Sequence, residues 1–220
     1  MKGIAMDEQK FYYRNWRGRL IGNKAREQLV LDELKSIQAN DFFLEVGCAQ
    51  GHFESHAMKY CGNVFGADFS LEKLKAARSN AKNSFFVAMD AKMLPFKKSS
   101  FDFVLCTEVL EHVPEWKKAL LELQRVARKK ILVTVPLEKS VFWRLFSLGA
   151  PMKNRGHLHK LDSRQIKAAI GNDLKLVKYK LVATPSRKLN RLLGNRLGEK
   201  AGIFAMMLFE KTGKKAKNAK

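Results

Sequence analysis

The chain has 220 residues, 46% of them hydrophobic, which suits one globular domain and excludes a wholly disordered polymer. Lysine and arginine total 42 against 21 aspartates and glutamates, a formal net charge of +21, so an anionic partner (nucleic acid or an anionic membrane surface) is expected. No apolar run reaches the ~20 residues of a membrane-spanning helix, residues 1–10 lack the apolar stretch of a secretory signal, and Cys48, Cys61 and Cys106 form no C-x-x-C pair. A reducing, cytoplasmic setting is expected, with membrane contact at most peripheral.

Residues 24–37 read as an amphipathic helix, with Val30, Leu34 and Ile37 on one face. Residues 1–40 are assigned to an N-terminal helical lid. From Phe42 short apolar runs alternate with helical patterns. Strands are expected at 42–46, 63–67, 84–88, 102–107 and 131–135, and helices at 50–60, 71–79 and 115–128. Such alternation implies βαβ units and a mainly parallel sheet covered on both faces. Beyond Pro136 an aromatic segment at 141–148 precedes a loop over 149–160. A helix to Ile170 with Asp162 as N-cap and Gly171 past its end follows, then strands at 174–182 and 203–209. A basic helix is expected at 186–196. Residues 41–210 form the expected catalytic domain, and the lysine-rich tail at 211–220 has too little apolar content to fold.

Charge is unevenly spread. Acids and bases nearly balance over 41–136, whereas from 139 to 200 only Asp162, Asp173 and Glu199 oppose a long series of Lys and Arg.

The run Leu44-Glu45-Val46-Gly47-Cys48-Ala49-Gln50-Gly51 stands where a buried strand gives way to a helix. A tight turn that lets a ligand approach the backbone calls for glycine there. Asp68 ends the next strand about 20 residues later, where an acid can accept hydrogen bonds from ribose hydroxyls; capping the following helix is its rival role. A dinucleotide site would want G-x-G-x-x-G, but Ala49 replaces the second glycine and His52 the third.

Read as E-x-G-x-x-x-G, the run resembles motif I of class I S-adenosylmethionine-dependent methyltransferases, in particular the UbiE-like or type 11 group. The resemblance runs from about Phe42 to Val135 and continues through Asp68, Asp90-Ala91, Leu94-Pro95-Phe96, Ser100-Phe101-Asp102-Phe103-Val104 and Thr107-Glu108-Val109-Leu110-Glu111-His112-Val113. It departs at Ala49, where many members have glycine. The resemblance implies an α/β Rossmann-like fold with a seven-stranded, mostly parallel sheet, and S-adenosylmethionine as cofactor. It places Glu45, Gly47, Cys48 and Gly51 near the methionine part and Asp68 with Phe69 near the ribose. Asp90 and Ala91 fall at the adenine, and Thr107 and Glu108 at the methionine end of the pocket.

Methyl transfer from a sulfonium depends mainly on aligning the acceptor, and needs a base only where the acceptor must lose a proton early. His112, His157 and His159 are the candidates, because imidazoles titrate near neutrality. His157-x-His159 has no third ligand nearby in sequence, so no metal is expected. The segments Phe11-Tyr12-Tyr13-Arg14-Asn15-Trp16 and Val141-Phe142-Trp143-Arg144-Leu145-Phe146 interleave aromatic and basic residues. They suit RNA stacking, a membrane interface or a packed lid. A small or lipid-like acceptor, with the protein at an anionic membrane surface, is the first expectation. RNA is the second, weakened by the absence of an N-P-P-Y-type motif after the fourth strand. A non-catalytic scaffold on the same fold is the third.

Overall fold

Seven strands build one sheet in a computed structural model that describes residues 20–141, 156–182 and 199–212. The elements are α1 (Leu20–Leu34), β1 (Phe42–Val46), α2 (His52–Ala57), β2 (Asn63–Asp68), α3 (Leu71–Asn80), β3 (Phe85–Ala88) and β4 (Phe101–Thr107). After a 3-10 turn at Leu110–His112 come α4 (Trp116–Val126), β5 (Ala127–Pro136), α5 (Ser163–Ala169), β6 (Leu174–Val182) and β7 (Phe204–Lys211). The order across the sheet is β3-β2-β1-β4-β5-β7-β6. β1 to β5 run parallel, and β7 is antiparallel to both β5 and β6. The order reverses at β1, whose neighbours are β2 and β4. In open α/β sheets ligands bind beyond the carboxyl ends of the strands at such a reversal.

The period-2 geometry of strands sorts the core into two layers. Leu44, Val46, Val104, Cys106, Ile131, Val133 and Met207 face α4 and α5, meeting Leu120, Leu123 and Ile166. Phe43, Phe103, Leu105, Leu132, Met206 and Leu208 face the other way, toward Val30 and Leu34 of α1 and Phe53 and Ala57 of α2. Each fully buried leucine or phenylalanine contributes roughly 1.5–3 kcal/mol against exposure, so both layers hold the sheet. The alternating βα reading and the seven-stranded, mostly parallel sheet agree with the sequence.

Among the differences from the sequence expectations, three bear on packing. The helix expected to reach Arg128 stops at Val126, and Ala127 is already extended, opening β5 four residues early. Tertiary pairing outweighs helix propensity here: Arg128 and Lys129 both pair with Asp102, and Lys129 also reaches Asp41 at 2.7 Å. Helix α1, placed by sequence in a lid, is a core layer through the fully buried Val30 and Leu34. Strand β7 continues to Lys211, one residue into the expected tail, because Lys211 Nζ reaches Asp173 at 2.5 Å and donates to Gln124 O at 3.1 Å. Asp162 caps α5 as expected, in a capping box with Gln165. The aromatic segments at 11–16 and 142–146, the basic helix at 186–196 and the tail from 213 lie outside the described residues.

Candidate functional site

Strand β1 ends in a turn built by left-handed backbone. Gly47 (φ 85), Ala49 (φ 46) and Gly51 (φ 78) all have positive φ, a region that L side chains enter at a cost of roughly 1–2 kcal/mol. Ala49, the departure from the family pattern, therefore takes a conformation better suited to glycine. The turn is tied across the sheet: the Gly47 and Cys48 amides donate to Ala67 O at 2.7 and 3.0 Å, and Asn80 Nδ2 donates to Gln50 O at 2.8 Å. At Gly47 a methyl group would stand 2.1 Å from Val109 Cγ2, so this chain's own side chain fills the space left by the missing Cβ. At Gly51, which opens α2, it would stand 3.2 Å from Ala77 of α3. The glycines are thus required by φ and by packing within the chain.

Asp68, at the end of β2, is buried and holds this turn. Its Oδ2 accepts from the Ala49 amide at 2.9 Å and its Oδ1 from the Ser70 amide at 2.8 Å. Ser70, not Asp68, caps α3, with its Oγ accepting from the Lys73 amide. Two bonds leave the carboxylate with further lone pairs. Beyond β3, Asp90 Oδ1 accepts from the Lys92 amide at 2.9 Å, and its carboxylate is 42% exposed. Phe69, Leu71 and Met93 cluster in sequence about these two acids and are 82%, 67% and 77% exposed. Large apolar side chains this open, at the carboxyl edge of a sheet, mark a face suited to a flat apolar group.

Under the turn lies a pair of acids that sequence reasoning half missed. Glu45 Oε1 accepts from Thr107 Oγ1 at 3.3 Å, while Oε2 is buried without a partner among the described residues. Glu54 of α2 is fully buried, and its Oε1 would stand 2.6 Å from a Cβ placed on Gly66. Burial, then the neighbouring Glu54, holds the Glu45 carboxyl well above the usual range. Burial likewise pushes Glu54 up to about 8. Cys48, beside this pair, is buried and its thiol is pushed far up by desolvation and by the two glutamates, so it stays a neutral packing group.

After β4 the backbone enters the left-handed region again at Glu108 (φ 54). Its carboxylate accepts from Thr134 Oγ1 at 2.9 Å and pairs with Arg26 of α1 at 3.4 Å. A non-glycine residue so held by its surroundings is characteristic of functional edges. The following 3-10 turn brings His112 against His157, with ring centroids 4.6 Å apart and planes at 78°. His112 Nδ1 donates to Gly156 O at 3.1 Å, and His157 Nδ1 is bonded to Glu138. Burial, then the neighbouring His157, brings His112 down to about 4, so it is neutral at physiological pH. Glu111 O receives the amides of Leu158 at 2.8 Å and His159 at 3.2 Å, which fixes the loop carrying His157. His159 turns elsewhere, its Nε2 donating to Pro114 O at 2.9 Å.

The structure therefore gathers Glu45, Gly47, Cys48, Gly51, Asp68 and Thr107 around one turn. Phe69, Asp90 and Ala91 fall at the adjoining strand ends, and Glu108, His112 and His157 follow β4 and β5. His159 stands apart from the other two histidines. Glu54, Glu111 and Glu138 were not singled out from sequence. Glu54 had a readable signal, since it shares a helical face with the buried Ala57; Glu138 had none, because its partner His157 is 19 residues away.

A family described as "Methyltransferase domain" matches residues 44–133, the span that holds the turn, both strand-end acids and the segment after β4. Those 90 residues, about two fifths of the chain, resemble a methyltransferase domain. The chain's fold is that of the class I enzymes. The demethylmenaquinone methyltransferase of Shouchella clausii is 30% identical over 142 residues, covering 57% of this chain and 60% of the relative. The chain spans between about a third and three fifths of the length of the first curated relatives it matches. Among solved structures, an S-adenosylmethionine-dependent methyltransferase from Mesorhizobium loti superposes with a TM-score of 0.63 at 15% identity, over 84% of this chain and 97% of its own. The [4+2]-cyclase SpnF superposes at 0.61 with 15% identity, over 85% and 80%. The methyltransferase fold therefore also hosts a protein named for another reaction, and the chemistry has to be argued from the site. No helix among the described residues is long and apolar enough to cross a membrane.

Proposed function

We propose that this chain uses S-adenosylmethionine to methylate a small or lipid-like acceptor. The observation that carries the reading is the turn over Asp68, flanked by exposed apolar side chains beside two strand-end acids. The residues fit the cofactor. Glu45 is fully buried beside Glu54, next to the turn that would take the methionine part. Asp68 retains lone pairs for ribose hydroxyls. Phe69, Leu71 and Met93 offer apolar surface for adenine beside Asp90 and the Ala91 amide. When bound, the cofactor supplies a methyl group on a positively charged sulfonium.

The chain's own contribution is chiefly positional. Thr107 and Glu108 close the edge where the acceptor would meet the methyl group, and Glu108 is locked by Thr134 and Arg26. A proton leaving the acceptor would be received at the His112–His157 pair, where Glu138 holds the His157 ring in one orientation. Similar relatives are named for demethylmenaquinone, which favours a lipid-like acceptor over RNA. The excess of 42 basic over 21 acidic residues would then serve an anionic membrane surface.

The test is transfer of a radiolabelled methyl group from S-adenosylmethionine into extract, separated into lipid, small-molecule and RNA fractions. Label in the lipid or small-molecule fraction is expected. Label confined to RNA would replace the acceptor class, and no label with a cofactor-binding protein would favour a scaffold.

A further inference from the structure

Glu111, His112 and His157 each offer one ligand atom, and these atoms lie within 4.8 Å of one another. The sequence separates them by 45 residues, which is why the His157-x-His159 spacing gave no third ligand. The fold supplies it from the 3-10 turn after β4, while His159 is committed to Pro114 O.

We propose that these three residues form a binding site for a divalent transition-metal ion, zinc being the best match to two imidazoles and one carboxylate. Two features support it independently. Glu111 is fully buried, and neither carboxyl oxygen meets a hydrogen-bond donor in good geometry among the described residues. An orphaned carboxyl inside a protein is costly, and a bound cation is one of the few groups that compensates it.

The imidazoles are also arranged as ligands usually are. Metal-bound histidines commonly donate their second ring nitrogen to a carbonyl or carboxylate, which fixes tautomer and ring orientation. Here His112 Nδ1 donates to the Gly156 carbonyl at 3.1 Å and His157 Nδ1 is bonded to the Glu138 carboxylate. With both Nδ1 atoms engaged, Nε2 of each ring is the ligand atom the proposal uses.

Ligand atoms around tetrahedral zinc stand about 3.3 Å apart, so binding would draw the three side chains together by an ångström or so. Three protein ligands leave a fourth position, which an acceptor oxygen can take; there the ion would lower the pKa of a hydroxyl as a Lewis acid. That last role rests on the methyl-transfer reading and would stand in place of proton transfer to the two imidazoles, whose Nε2 atoms the ion would occupy. The binding itself does not rest on that reading.

The experiment is zinc titration of the full chain against a chromophoric chelator, without S-adenosylmethionine, together with cobalt(II) substitution. One zinc per chain is expected, with a cobalt visible band typical of mixed nitrogen and oxygen ligands. His157→Ala and Glu111→Gln should each weaken binding at least tenfold, and Glu138→Gln, acting through the His157 ring, about 10–100-fold. His56→Ala, whose ring bonds to His52 O at 2.9 Å, should change nothing. Should Glu111→Gln fail to fold, His112→Ala serves in its place. Substoichiometric zinc, an affinity indifferent to His157→Ala, or binding of magnesium without zinc preference would each overturn the proposal. Because the titration contains no methyl donor, its failure would leave the transferase reading intact.

Discussion

Glu54 and Glu45 place two carboxyl groups in the dry space beneath the glycine turn, and two negative charges there would repel without solvent to screen them. Burial raises both, Glu54 to about 8. An unfolded glutamate titrates near 4.3, so between about pH 4.5 and 8 the native state holds a proton that the unfolded chain has lost. Stability therefore falls as pH rises through that window. Glu54→Gln keeps the shape and removes the titration, and its amide can donate to Glu45. Melting temperature measured from pH 5 to 9 should decline less steeply for the variant, which should be the more stable protein at pH 9. Parallel curves would show that Glu54 is already ionised in the native state. The acids at 45, 68 and 90 were legible because they end strands beside a glycine motif. Glu54 was not singled out, since an acid in a short helix normally reads as solvent-facing, although its place three residues before the buried Ala57 was a signal that the fold, turning it inward over Gly66, bears out.

At the scale of elements, the junction from α4 to β5 without a loop depends on Asp102. This carboxylate is buried on β4, accepts from the Phe42 amide at 3.0 Å, and binds Arg128 and Lys129 from β5. Burial alone would raise its pKa, but Arg128, the Phe42 amide and Lys129 outweigh burial and hold it at about 2. A lowered carboxylate stabilises the fold above its unfolded pKa, and that contribution is lost as pH falls from about 4 to about 2. Asp102→Asn should cost about 1.5–3 kcal/mol in urea unfolding at pH 7, the range for a hydrogen bond to a charged group, and the difference should shrink below pH 3. An unchanged midpoint would assign the junction to apolar packing alone. This cluster also explains why the helix end was misread. Residues 115–128 carry a strong helical pattern, and what ends the helix at Val126 is an acid some 25 residues earlier in sequence. Asp162 was legible because a capping box is local: donor and acceptor lie within four residues.

For the whole molecule, the alternation of apolar strands with amphipathic helices was enough to infer a parallel sheet with two covered faces. The antiparallel β7, inserted between β5 and β6, was not legible, since nothing local in Phe204–Lys211 encodes which neighbours it pairs with. The histidine cluster was legible only as separate residues, because its parts come from the ends of two strands. The acids of the proposed cofactor edge were legible in position, because each lies at or near the end of its own strand. The central claim is that this edge binds S-adenosylmethionine, and calorimetric titration of the full chain with that cofactor tests it most directly. One site per chain is expected, with Asp68→Ala losing roughly 1.5–3 kcal/mol of binding through the missing charge-assisted bonds while circular dichroism shows the fold retained. A folded protein that gives no saturable heat, or an Asp68→Ala variant that binds as tightly as the parent, would contradict it.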